Sequence, residues 1–204
     1  MRSLWLTVAL AFVLWGVMFL PATSAHVNFW MTMTGSTLIL SGLSTMLNKG
    51  WWRKLNFSLS NIALGVAIAV LLWGVFWIGD KVAALMFNFA RPQVDSIYGM
   101  KDGESQWLLT ALMLFVIGPA EEIYWRGYVQ QKLSDKWGAN LGFVVTTLVY
   151  TLVHVASCNF MLIMAAMVAG AVWGLLYRLF PKRFTAIIIS HALWDVAVFI
   201  WFPI

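Results

Sequence analysis

Ile117-Gly-Pro-Ala-Glu121-Glu122-Ile-Tyr-Trp-Arg126-Gly127 sets two carboxylates and a guanidinium inside an otherwise apolar run long enough to be one helix. On a helix, Glu122 and Arg126 stand four residues apart on one face, whereas Glu121 is turned about 100° from Glu122. The two acids therefore need different partners. If the run crosses a bilayer, each ion costs roughly 2.5–3.5 kcal/mol at the centre on insertion scales, so pairing or a wet cavity is required. Arg126 offsets one glutamate only. Glu121 is left facing an interior where His154 and the His191/Asp195 pair are the polar groups able to meet it.

The chain around this stretch has the composition of an integral membrane protein. Of its 204 residues, 62% are hydrophobic and 10% charged, with mean hydropathy +0.83, well away from soluble domains on both counts. A net charge of +5 would suit nucleic acid in a soluble protein. Here the basic residues lie between apolar runs and read as topology signals, so the expected surroundings are membrane lipids and no nucleic acid. The lone Cys158 excludes an internal disulfide and a cysteine-based metal cluster, and it reads as a small buried packing residue.

Apolar runs over about 4–20, 29–47, 61–78, 107–133, 141–157, 160–179 and 184–202 predict an all-α polytopic membrane protein with about seven transmembrane helices. Ala22-Thr23-Ser24-Ala25 after the first run resembles a signal-peptidase site. The run exceeds the roughly 7–15 residues of a signal core, so a retained helix is expected. Ala63, Gly65, Ala67 and Ala69, and again Ala166, Gly170 and Gly174, predict close-packing faces. Residues 80–106, with seven charges from Asp80 to Glu104, read as an extramembrane loop holding a short interfacial helix over 82–89. Pro119 is expected to kink the fourth span. One membrane domain accounts for 1–204, with N-terminal spans and the loop over 1–106 and a core holding the polar residues over 107–204.

Loop charges assign the orientation. With the N-terminus cytoplasmic, Arg2, Lys49, Arg53, Lys54, Lys132, Lys136, Arg178, Lys182 and Arg183 fall inside, and Lys81, Arg91 and Lys101 fall outside. At a rise of about 1.5 Å per residue, Glu121 lies roughly 16 Å from Lys132, Asp195 roughly 16 Å from Phe184 and His154 roughly 20 Å from Asn140. Three helices among the C-terminal four thus carry polar groups at similar depth, and a purely structural polar network becomes the weaker explanation.

Glu-Glu-x-x-x-Arg at 121–126, an aromatic-x-x-x-His from Tyr150 to His154, and His-x-x-x-Asp at 191–195 resemble the three ordered motifs of the CPBP intramembrane proteases, the Abi or CAAX-protease-like family. The resemblance covers roughly residues 107–202. Tyr150 stands where Phe is usual, and Asp195 where Asn is common. The resemblance implies an intramembrane endopeptidase in the cell membrane, acting without a cofactor on a membrane-embedded or lipidated peptide. Glu121 would be the general base for water, His154 its water partner, and Glu122 with Arg126 the ion pair that fixes the helix. His191 and Asp195 would face the carbonyl oxygen.

A zinc site built from Glu121, His154 and His191 is the minority alternative for the same residues, although no His-Glu-x-x-His helix is present. Two other function classes share buried carboxylates and histidines: an ion- or proton-coupled transporter, and an inert membrane immunity or scaffold protein. The sequence shows no inverted repeat, which a transporter would favour. Substrate identity and oligomeric state lie beyond the sequence.

Overall fold

In the computed structural model, which describes residues 1–204, helices open where a short polar side chain meets their first free amides. Asn28 accepts from Met31 N–H (2.9 Å) and Asn159 from Leu162 N–H (3.0 Å), while Ser58 and Ser105 do the same for Asn61 and Leu108. These caps start α3 (Phe29–Leu47), α10 (Phe160–Leu179), α4 (Leu59–Met86) and α6 (Gln106–Leu112). The first helix, α1 (Arg2–Phe19), is followed by a single turn, α2 (Pro21–Ser24), that Pro21 opens.

The helix bearing the two glutamates is one rod, Gln106–Trp137. Its α-helical parts, α6, α7 (Gly118–Tyr124) and α8 (Gln131–Trp137), are joined by π-helical turns at Met113–Ile117 and Trp125–Gln130. The first π turn accommodates Pro119. Gly118 N–H bonds back to Met113 O, widening the helix where the proline ring would otherwise crowd the carbonyl four residues earlier. Gly138, at φ 86°, then reverses the chain into α9 (Ala139–Val153), which a 3-10 turn prolongs to Ser157. The last helix, α11 (Phe184–Val196), ends in another π turn, Ala197–Trp201.

Six helices are long and apolar enough to cross a membrane. The seventh expected span, α3, is present at 19 residues; its Thr, Ser and Gly content makes it less apolar, and it packs against α1 and α7. Three local expectations change. α4 continues through Asp80 and Lys81 to Met86, and the short helix of the loop is α5 (Ala90–Gly99), beyond 82–89. Asp80 is tolerated inside a helix because Arg91 Nη1 lies 3.3 Å away and Lys81 Nζ 3.2 Å away. Cys158, expected to be buried, is exposed at φ 51° in the turn between α9 and α10.

Polar contacts tie the two ends of the bundle. At one end Lys54 donates to Tyr177 Oη (2.8 Å), Arg178 to Asn140 (2.6 Å) and Arg183 to Asn61 (3.1 Å). At the other, Asn28 meets Glu104, Trp30 meets Met100 O, and Asn159 meets Gln93 O. Between them, α4 lies along α11, and α9 lies between α8 and α10.

Close approach is set by two glycines. A Cβ on Gly65 would come within 2.9 Å of Ala186 O, and one on Gly118 within 2.8 Å of Ala192 Cα, so α11 is pressed against backbone from both sides. Of the four small residues expected to pack on α4, Gly65 and Ala69 are buried, while Ala63 and Ala67 lie on the exposed face. Gly118→Ala and Gly65→Ala should each cost about 1–3 kcal/mol by overpacking. Gly74, with nothing within 4 Å of its Cβ position, should accept alanine without loss. Thermal unfolding of the three variants in detergent checks the contrast.

Candidate active site

Adjacent positions on α7 send the two glutamates in different directions, as a helical turn of about 100° requires. Glu122 is sealed in the bundle at 0% exposure, and its Oε1 accepts from Arg126 Nη1 at 2.8 Å and from His191 Nδ1 at 2.7 Å. Arg126 also donates to Gly170 O on α10 (3.0 Å) and lies between the rings of Tyr150 and Trp173, 5.0 and 5.6 Å from their centroids. The expected ion pair is therefore present, with an unforeseen third member: the same carboxylate oxygen holds His191.

Glu121 points the other way, into a cavity of about 420 Å³. Its Oε2 accepts from Tyr150 Oη at 3.1 Å, and its Oε1 takes no hydrogen bond from the protein and is not sealed from the cavity. His154, His191 and Asp195 line the same cavity, whereas Glu122 and Arg126 stand behind the wall. His191 is oriented on three sides, by Glu122 at Nδ1, by Asp195 Oδ2 at 3.5 Å from Nε2, and by Trp173 stacked on its face at 3.8 Å. With Nδ1 committed to a carboxylate, Nε2 is the nitrogen that faces Asp195.

His154 follows the last residue of α9 and is not hydrogen-bonded to Glu121. Its Nδ1 lies 2.7 Å from Tyr150 O, a carbonyl that can only accept, so Nδ1 carries the proton. Nε2 is then an acceptor, and Trp15 Nε1–H approaches it at 3.3 Å. The N-terminal half thus reaches the site, through Trp15 on α1, which the motif pattern gave no reason to single out. Asp80 on α4 and Tyr98 on α5 line the far part of the cavity, where burial pushes the Tyr98 phenol up from its ordinary value. In sequence Asp80 follows the apolar run 61–78 and reads as the start of a loop, whereas α4 continues through it to Met86.

Chemically, the cavity offers one carboxylate oxygen, one imidazole acceptor and one imidazole with an adjacent acid, in a wall where 30 of 36 lining residues are hydrophobic. In this arrangement no three His, Cys, Asp or Glu side chains are grouped so as to hold a metal ion; the Nδ1 of His154 and of His191 is engaged, which leaves Nε2 as the nitrogen each turns toward its other neighbours.

Comparison with known proteins adds one finding. The model of the family described as type II CAAX prenyl endopeptidase Rce1-like matches residues 103–197, the segment that contains all three motifs. No curated protein and no solved structure matches the chain.

The buried triplet has a mutational signature. Glu122→Gln and Arg126→Met should each lower the yield of folded protein, since an unpaired partner left buried costs about 3–5 kcal/mol. Glu121→Gln should purify at the normal yield, because its oxygen faces open space. Monodisperse yield by size-exclusion chromatography checks the difference.

Proposed function

We propose that this integral membrane chain, whose residues 103–197 match the type II CAAX prenyl endopeptidase Rce1-like family model, is an intramembrane endopeptidase whose attacking water is activated by Glu121. The observation that carries the reading is the state of that carboxylate, with one oxygen held by Tyr150 and the other facing an apolar cavity shared with His154, His191 and Asp195.

In the proposed reaction Glu121 Oε1 takes a proton from water while His154 Nε2, shared with Trp15, accepts from its other hydrogen. The hydroxide adds to the peptide carbonyl carbon, and the oxyanion is met by His191 through Nε2–H, the charge of the imidazolium being balanced by Glu122 and Asp195. Glu121 then returns its proton to the leaving amine as the carbon–nitrogen bond breaks. The apolar lining suits a substrate that brings hydrocarbon with its peptide, and the family's prenylated, membrane-associated proteins are the substrate class proposed here. An Asp at 195 can only accept when ionised, so its part is to orient His191.

Purified protein incubated with a prenylated fluorogenic peptide should cleave it, and Glu121→Ala should lower the rate at least about 100-fold, the scale of lost general-base catalysis. Hydrolysis should survive exhaustive chelation. Loss on chelation, with recovery on added zinc at one equivalent per chain, would exchange the glutamic mechanism for a metal one.

We propose the cytoplasmic N-terminus on the nine-to-three split of basic residues, which puts the cavity end and Cys158 outside. The native thiol serves as its own reporter. An impermeant maleimide should label Cys158 in intact cells and leave Cys158→Ser unlabelled; labelling only after permeabilisation would invert the topology.

A further inference from the structure

We propose that Tyr150 is a positioning residue, whose hydroxyl fixes Glu121 in the orientation that presents Oε1 to the attacking water. The proposal rests on Glu121 as the base and concerns how that base is held. A glutamate has three side-chain torsions, and in an apolar cavity with no second anchor its carboxylate would sample several directions. The Tyr150 hydroxyl, 3.1 Å from Oε2, is the only hydrogen-bond donor the protein gives this carboxylate.

The donor is itself immobilised. Tyr150 is 5% exposed. Its ring meets the edge of Trp125 (centroids 5.3 Å, 80°) and the ring of His154 (5.0 Å, 64°), and the Arg126 guanidinium lies 5.0 Å from its centroid. On the remaining side Gly170 supplies bare backbone: a Cβ there would come within 2.7 Å of Tyr150 Cδ1. The ring therefore has one seat, and the hydroxyl one direction.

The main chain of the same residue acts on the other side of the water. Tyr150 O accepts from His154 Nδ1 at 2.7 Å, which fixes the tautomer that leaves Nε2 unprotonated. One residue thus sets the rotamer of the base through its side chain and the tautomer of the histidine through its carbonyl. Phenylalanine at this position would keep the ring contacts and the carbonyl, and lose only the hold on Glu121. Tyr150→Phe is for that reason a clean test.

Full-length protein in detergent is examined by infrared difference spectroscopy, with the Glu121 carboxyl band identified by its loss in Glu121→Gln. In Tyr150→Phe the band should move, as a carboxyl oxygen losing a donor does, and kcat should fall about three- to tenfold with KM unchanged, the scale of one net hydrogen bond. An unmoved band overturns the hydrogen bond. A moved band with unchanged kcat overturns the positioning role, while the wild-type enzyme and its dependence on Glu121 stand. Absence of Glu121-dependent hydrolysis in the wild type is a different result: it overturns the proposed function and the role of Tyr150 with it.

Discussion

A single carboxylate oxygen, Glu122 Oε1, holds the centre of the bundle. It receives the Arg126 guanidinium from its own helix and the His191 imidazole from α11, and Arg126 passes the connection to α10 through Gly170 O. In an apolar interior none of these groups can be left alone, since an unpaired buried charge costs several kcal/mol. The helices are thus obliged to meet at one point. Packing then follows the polar requirement: Gly118 lets α7 approach the backbone of α11 at Ala192, beside His191, and Gly170 lets the Tyr150 ring reach α10.

With Glu122 engaged by Arg126 and His191, its neighbour is free to face the cavity. A turn of about 100° carries Glu121 to the cavity side, so two identical side chains next to each other in sequence meet opposite environments. One is enclosed with both its partners on Oε1, and the other is anchored by one oxygen with the second open to the cavity. The π turns on either side of α7 belong to the same arrangement, because each re-registers the helix around the two glutamates.

The site is also less local than its motifs. Residues 103–197 carry the family pattern, yet Trp15 on α1 approaches His154, and Asp80 on α4 and residues of α5 form part of the cavity wall. The N-terminal helices close a chamber that the C-terminal helices furnish. That division accounts for sequence signals concentrated in the second half of the chain alongside a cavity assembled from nearly all of it.

Much of this was legible in the sequence, because membrane insertion makes the code unusually explicit. Long apolar runs specify helices by the need to satisfy backbone polar groups in lipid, and rare charges inside them mark the interior. Glu121, Glu122, Arg126, His154, His191 and Asp195 stood out on that ground, and the i, i+4 spacing of Glu122 and Arg126 already paired them. What the sequence left open are relations between helices. That Glu122 rather than Glu121 takes His191, that Tyr150 holds Glu121, that Trp15 reaches His154 and that Asp80 stays inside α4 beside Arg91 all depend on contacts between residues far apart in the chain. Helical periodicity reports the face a side chain occupies and says nothing of which helix lies opposite; only the packed bundle, fixed by the glycine contacts and the shared oxygen of Glu122, decides that.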